Sequence, residues 1–229
     1  MAKAATPLQR HGSIYVLAGC NGAGKSSIGG AALLDSGVRF YNPDEAARRI
    51  VAANAHLNPP PTMGEVNAAA WSQGRTLLER AIDQRLNFAF ETTLGGHTMT
   101  VLLERATVAG LAVHVWFAGL DNVELHIERV RQRVERGGHD IPRAKIVERY
   151  DSGRKNLVRL MPRLASVRIY DNSVQADPGQ GLTPAPRLLL HCVERKIVSP
   201  TKLHSLLAET REWAKPIVAA ALDLHLKRR

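Results

Sequence analysis

Gly19-Cys20-Asn21-Gly22-Ala23-Gly24-Lys25-Ser26 decides how this chain is read. The stretch fits G-x-x-x-x-G-K-[ST], a phosphate-binding P-loop set between a strand and a helix. Its flanks agree, because Ser13-Ile14-Tyr15-Val16-Leu17-Ala18 reads as a buried strand and a helix of about residues 25–35 follows. Glycines let successive backbone N–H groups turn inward around phosphate oxygens with no Cβ in the way. The helix N-terminus behind them adds the positive end of its dipole. The pattern assigns Gly19, Asn21, Gly22, Ala23, Gly24, Lys25, Ser26 and Ser27 to a nucleotide. Lys25, a ligand group expected at the surface, reaches the β- and γ-phosphates of the nucleotide, and the Ser26 hydroxyl sits on Mg²⁺.

The 229 residues suit one α/β domain. Residues 1–229 read as a single P-loop kinase-like unit with a flexible N-terminus (1–11), a helical Arg-rich lid region (121–163) and a C-terminal strand and helix (188–229). A hydrophobic fraction of 45% and a charged fraction of 23% are ordinary for a globular protein. No run approaches 18 consecutive apolar residues, so no transmembrane helix is expected. Met1 to Pro7 lacks an apolar core, so no secretory signal is expected either. Cys20 lies inside the P-loop, where a bond to Cys192 would hamper nucleotide binding. Two reduced thiols in a cytoplasm are the simpler reading. The nine histidines show no metal-binding spacing and read as surface or capping residues.

The net charge of +10 invites a nucleic-acid reading. It is local, however. Residues 129–163 hold eleven Lys or Arg against four acids, supplying +7 of the total. An arginine-rich segment downstream of a P-loop has a cheaper explanation as a lid over phosphates, which disfavours nucleic acid as a partner.

Along the chain, residues 38–41 read as a short second strand. Asn42 is a good N-cap and Pro43 a good first helical residue, which puts Asp44 in the first turn of a helix to about residue 53. Pro59-Pro60-Pro61 is a stiff break. Apolar positions 63, 66, 70, 74, 77 and 81 predict a long helix over 63–85. Phe88-Ala89-Phe90 reads as a third strand ending in Glu91-Thr92-Thr93. A helix of about residues 98–109 stops at Gly110, and the near-continuous apolar run 112–118 suits a parallel strand covered on both faces. Asp121 and Glu124 have capping-box spacing, followed by an apolar stripe of Val123, Ile127, Val130 and Val134 up to Gly137-Gly138. Another helix starts near Pro142, and residues 167–170 form a fifth strand. Residues 174–187 read as loop, 188–198 as a strand or strand pair, and 200–227 as a closing helix. Strands alternating with helices behind a P-loop predict a doubly wound, mostly parallel sheet with helices on both faces.

Three groups outside the loop are candidates for chemistry, at the carboxyl ends of strands where open α/β sheets bind ligands. Asp44 is either a general base for a substrate hydroxyl or an acid complementing a helix dipole. Glu91 and Thr93 suit a Mg²⁺ second shell or a sugar hydroxyl, or are buried capping groups. Arg129, Arg133 and Arg136 share one helix face. With Arg143 and Arg149 they look like a lid whose guanidinium forks neutralise developing phosphoryl charge, some of them being solvated cations only. No L-S-G-G-Q stretch, no N-K-x-D motif and no apolar strand ending in Asp-Glu is present. The pattern fits a small-molecule kinase better than a transporter, switch or motor.

These segments, in order, resemble the zeta-toxin family and its "predicted ABC-type ATPase" relatives. They are Gly19 to Ser26, Tyr41-Asn42-Pro43-Asp44-Glu45, Phe90-Glu91-Thr92-Thr93, Arg129 to Val134, Gly137-Gly138-His139-x-Ile141-Pro142, Arg149-Tyr150 and Tyr170-Asp171-Asn172. The resemblance covers about residues 12–173. It implies an ATP- or GTP-dependent kinase acting on the sugar 3′-hydroxyl of UDP-N-acetylglucosamine or a similar nucleotide sugar, restrained by a small antitoxin protein. It also implies that Lys25 binds phosphates, Asp44 is the base, Glu91 and Thr93 hold substrate, and Arg133 with Arg149 are catalytic lid arginines, while Arg129 is read as binding nucleotide. Two other readings stay open: a kinase of another metabolite or of a polynucleotide end, and a nucleotide-dependent nucleic-acid binder.

Overall fold

Ser13–Ala18 forms β1, which lies inside the sheet and delivers the P-loop from its carboxyl end. The computed structural model describes residues 12–28, 38, 40–174 and 185–227. β2 (Phe40–Tyr41), β3 (Phe88–Thr92), β4 (Ala112–Gly119) and β5 (Ser166–Asp171) run parallel to β1. β6 (Arg187–Val193) and β7 (Lys196–Ser199) continue the sheet as an antiparallel hairpin, giving the order β2-β3-β1-β4-β5-β6-β7. The chain leaves β1 toward β2 and β3 on one side and reaches β4 and β5 on the other. The crevice at the carboxyl end of β1 is therefore the switch point where such sheets bind ligands.

The helices are α1 (Pro43–Ala53), α2 (Met63–Asp83), α3 (His97–Val108), α4 (Val123–Glu135), α5 (Arg143–Leu160), α6 (Leu206–Glu209) and α7 (Lys215–Leu226). One sheet face, with Ile14 and Val16, Val113 and Val115, Val167 and Ile169, packs against Leu78 of α2, Leu103 of α3, Leu157 of α5 and Ile217 of α7. Asn42 caps α1 as expected, its side chain accepting from the amides of Asp44 and Glu45 at 2.9 and 3.3 Å. Thr62 and Glu65 close a capping box on α2. At the end of α4 the amides of Gly138 and Gly137 return to the carbonyls of Arg133 and Val134, both at 2.9 Å. That is a Schellman stop, and it fixes the expected boundary.

Several local expectations are corrected. The second strand is only Phe40–Tyr41, because Val38 is outside it and residue 39 is not described. Of the helix expected over 25–35, residues 26–28 are helical and 29–35 lie outside the described residues. Asp121 is not the cap of α4; Asn122 is, accepting from the Leu125 amide at 2.9 Å. The Asp121 carboxylate is engaged by Arg211 instead, 2.7 Å away. The apolar stripe of α4 is buried at Val130 but 36% exposed at Val134, past the edge of the core. The closing helix is broken, with α6 and α7 separated by extended backbone at Thr210 and Arg211 and a 3₁₀ turn over Glu212–Ala214. Residues 188–198 resolve into the hairpin pair. The expectation for 1–11 lies outside the described residues.

Candidate active site

The P-loop leaves β1 and is braced from below by three long-range contacts. Gly24 has φ +72°, and a Cβ there would stand 2.2 Å from the Asn172 amide nitrogen. Asn172, 5% exposed at the end of β5, donates from Nδ2 to the Ala23 carbonyl at 2.9 Å. On the α4 side, His126 Nδ1 lies 2.8 Å from the Asn21 carbonyl. From α5, Arg149 Nη1 donates to Asn21 Oδ1 at 2.9 Å. The loop is thus held from three elements, twice by its backbone and once by the Asn21 side chain, while the hydroxyl-bearing Ser26 and Ser27 stay exposed at the start of the helix.

His126 corrects the reading of the histidines as surface or capping groups, because it is buried beneath the loop. Burial holds its imidazole pKa down at about 4, against the pull of the hydrogen bond to Asn21. With Nδ1 carrying the proton for that bond, Nε2 is a bare acceptor, and it meets no partner among the described residues. Cys20 is a free thiol, as is Cys192. Its Sγ faces the Ile146 carbonyl at 3.4 Å, and burial pushes its pKa up to about 11. It is an inert part of the loop's support.

Lys25 is not the surface group expected. It is 8% exposed, and its Nζ donates to the carbonyls of Gly19 and Cys20 at 3.0 and 3.4 Å and lies 3.3 Å from Glu91 Oε1. An ammonium has three donors, so all of them are engaged within the protein. Glu91 also accepts from Asn42 Nδ2 at 3.5 Å, so the cap of α1 and the P-loop lysine share one carboxylate. Asp44, by contrast, is 63% exposed, with Arg133 Nη1 at 3.7 Å. Thr93 Oγ1 accepts from the Gly95 amide at 3.4 Å and leaves its own proton for another partner.

Two cavities meet at these side chains. The larger, about 850 Å³, runs from Ser26 and Arg129 past Met63 to Gly138. The other, about 400 Å³, lies beyond it and is walled by Tyr41, Trp71, Phe90, Thr93, Lys145 and Arg149. Lys25, Asp44, Glu91 and Arg133 face both. Each volume falls in the roughly 300–1,000 Å³ range of small-molecule sites. Of the expected lid arginines, Arg129, Arg133 and Arg149 line these cavities. Arg136 lines neither, and Arg143 is turned to Glu124 at 2.8 Å. Arg129 Nη2 donates to the Val174 carbonyl at 3.3 Å, and Arg133 Nη2 to the His139 carbonyl at 2.6 Å.

No three His, Cys, Asp or Glu side chains gather at metal-binding distance among the described residues. Ser26 and Glu91 both face the larger cavity. One hydroxyl and one carboxylate suit Mg²⁺, which takes few protein oxygens and completes its shell with water and substrate phosphates. The residues fit that ion held together with a nucleotide.

Sequence reasoning missed four contributors. His126 and Asn172 brace the loop, and Asn67 and His139, 3.3 Å apart, stand where both cavities join. Asn172 and His139 lie in segments that carried the family resemblance, which was their only signal. His126 sits three residues before Arg129, on the helix already read as a lid.

Among the described residues no helix is long and apolar enough to cross a membrane. A relative from Haemophilus influenzae (strain ATCC 51907 / DSM 11121 / KW20 / Rd), an uncharacterized protein, is 31% identical over 137 residues, covering 58% of this chain and 88% of that one. Among solved structures, the AvrRxo1-ORF1:-ORF2 complex with ATP matches with a TM-score of 0.61 at 13% identity, over 95% of this chain and 76% of that one. A structure from the PezAT chromosomal toxin–antitoxin system of Streptococcus pneumoniae matches with a TM-score of 0.54 at 14% identity, over 96% and 87%. At such identities the likeness is one of fold alone, a doubly wound, mostly parallel sheet with a P-loop after its first strand. The Zeta toxin family model matches residues 1–177, most of the chain, and this chain belongs to the zeta-toxin family.

Proposed function

We propose that this protein transfers the γ-phosphoryl group of ATP to a hydroxyl of a nucleotide sugar of the UDP-N-acetylglucosamine kind, and that it is the toxin of a toxin–antitoxin pair. The observation that carries the reading is the meeting of two cavities at Lys25, Asp44, Glu91 and Arg133. A phosphoryl donor on the P-loop side and an acceptor on the Thr93 and Trp71 side come together there, and proximity of this kind removes much of the barrier. Family membership supports the chemistry, and the toxin–antitoxin system named for the PezAT relative supports an antitoxin partner.

In this mechanism the P-loop amides and Lys25 hold the β- and γ-phosphates, with Arg129 binding the nucleotide alongside them. Lys25 must first leave Glu91 and the two loop carbonyls. Glu91, freed of the lysine, and Thr93 hold the acceptor hydroxyl. Asp44 accepts its proton as the oxygen forms a bond to the γ-phosphorus and the bond to the β-phosphate oxygen breaks, releasing ADP. Arg133 and Arg149 neutralise the charge that spreads over the transferring group. Ser26 would hold Mg²⁺, which when bound would further neutralise the phosphate oxygens.

The test is direct. Purified protein is given γ-labelled ATP with UDP-N-acetylglucosamine, other UDP-sugars, free sugars and a 5′-hydroxyl oligonucleotide. Label should enter a UDP-sugar and depend on Mg²⁺. Label found only in the oligonucleotide or in a free sugar overturns the acceptor assignment, and ATP left unconsumed with every acceptor overturns the kinase reading.

A further inference from the structure

The family match ends at residue 177, yet the chain continues through β6, β7, α6 and α7. This C-terminal segment returns to the ligand edge of the sheet. Arg211, in the extended break between α6 and α7, forks across the ends of two neighbouring strands. Its Nε lies 3.0 Å from Asp171 Oδ2 at the end of β5, and its Nη1 lies 2.7 Å from Asp121 Oδ2, just past β4.

We infer that Arg211 is a positioning residue for the nucleotide site: through Asp171 and Asn172, the C-terminal segment holds the P-loop in the shape that receives phosphates. The inference rests on reading the P-loop as a nucleotide site.

Asp171 is 6% exposed, and its other oxygen accepts from the Ser173 amide at 3.0 Å and from the Ser173 hydroxyl. A carboxylate so buried needs its cations, and although Arg129 also faces it electrostatically, Arg211 is the one in direct contact, so its removal costs Asp171 its ion pair. The next residue, Asn172, is pinned by its amide to the Gly119 carbonyl at 3.0 Å and by its side chain to the Ala23 carbonyl. Asp121, the second partner of Arg211, donates its own amide to Ser173 Oγ at 2.8 Å. Relaxation at Asp171 is therefore passed to Asn172, whose side chain closes on Gly24.

A second arm acts in parallel. Two residues beyond Arg211, the buried ring of Trp213 rests on Gly119, where a Cβ would stand 2.1 Å from it. The Trp213 carbonyl accepts from Arg154 Nη1 at 3.2 Å. Arg154 lies 4.0 Å over the Tyr150 ring, beside Arg149, which holds Asn21. Arg211, Asp171 and Asn172 line neither cavity, but the first arm ends on Gly24, which lines the larger cavity and not the acceptor cavity, so the nucleotide should respond more than the acceptor.

The experiment measures equilibrium binding of a fluorescent ATP analogue to the full chain, together with hydrogen exchange of amides 19–28 without nucleotide. Arg211→Ala should weaken the analogue roughly tenfold, within the usual reach of a side chain acting through others. It should also speed exchange in the loop and leave the acceptor KM within about twofold. Arg211→Lys should recover most of the affinity. Asn172→Ala should match Arg211→Ala, and the double variant should lose little more. Should Arg211→Ala be unstable, Arg211→Gln, which removes the charge and keeps a polar side chain, takes its place beside Asn172→Ala and Arg211→Lys. A lower melting temperature with unchanged affinity and unchanged exchange at 19–28 overturns the inference and leaves the segment a stabilising role only. Wild-type protein that ignores the analogue overturns the nucleotide reading instead, and the exchange data still decide whether Arg211 orders the loop.

Discussion

Lys25 and Glu91 form a largely buried ion pair across the P-loop, 3.3 Å from Nζ to Oε1, with the two side chains 8% and 16% exposed. The lysine proposed to bind phosphates is held by a carboxylate that also faces the second cavity. Removing the ammonium does two things. Lys25→Ala should abolish turnover, since one such electrostatic contact is worth about 10²–10³ in rate. It should also lower stability by about 1–3 kcal/mol, because Glu91 loses its charged partner while partly buried. Turnover assays and thermal melts separate the two, and near-normal turnover removes the P-loop from the mechanism.

Glu91→Gln tests the same pair from the other side. The amide keeps the shape and the contact with Asn42 but no longer competes for the ammonium. Nucleotide binding should tighten by a few fold, on the order of one charge-assisted hydrogen bond, while acceptor KM rises. Titration with an ATP analogue beside acceptor kinetics reads both. Weaker nucleotide binding would mean that Glu91 supports Lys25 in the bound state.

Asp44 separates catalysis from capping cleanly, because Asn42 is the cap and the Asp44 carboxylate is mostly exposed. Asp44→Asn should keep nucleotide affinity within a few fold and drop phosphoryl transfer by roughly 10²–10⁴, the worth of general acid–base catalysis. The loss of helix-dipole stabilisation should stay below about 1 kcal/mol. A change confined to the melting temperature would return Asp44 to the role of a first-turn acid and make Glu91 the candidate base.

The strands and the P-loop were legible because their signals are local. β4 is a near-continuous apolar run, and the loop's residue order follows from what phosphate oxygens demand of a backbone. The break at Arg211 was not legible, since the apolar pattern runs on through 200–227 and the reason for extended backbone there is a pair of carboxylates far away in sequence. Asp121 kept good capping chemistry and lost the cap to Asn122 because Arg211 claims it. His126 and Asn172 meet the loop across 105 and 149 residues. Only the finished fold brings such partners together. The burial of Lys25 was hidden for the same reason, its partner being at the end of a different strand.

His126 makes stability depend on pH. The folded imidazole takes up a proton only at about pH 4, whereas its ordinary value is 6.5. The unfolded chain therefore binds the extra proton between those values, so stability rises with pH across that window and falls as pH drops through it. The full loss is about 3 kcal/mol. His126→Asn, which can still donate to the Asn21 carbonyl, should flatten denaturant midpoints between pH 6.5 and 4. An unchanged slope would assign the acid sensitivity to other groups.

The basic segment decides between a kinase lid and a nucleic-acid face. Many of its cations already have acidic partners: Arg131 pairs with Glu128 and Glu135, Lys145 with Glu148, Arg154 with Asp151 and Arg159 with Glu104. Arg129, Arg133 and Arg149 instead face the cavities beside Lys25. No aromatic residue interleaves the arginines from 129 to 149, although single-strand binders need stacking platforms. Neutralising Arg133 or Arg149 should slow phosphoryl transfer by about 10²–10³ and leave any polynucleotide affinity nearly unchanged. A nucleic-acid face would behave in the opposite way, each loss weakening binding modestly and log K falling with log salt by about 0.9 per phosphate contacted on duplex DNA. Both quantities are measured on both single variants. A steep salt slope with intact ATP turnover would sink the lid assignment and require another account of the local positive charge.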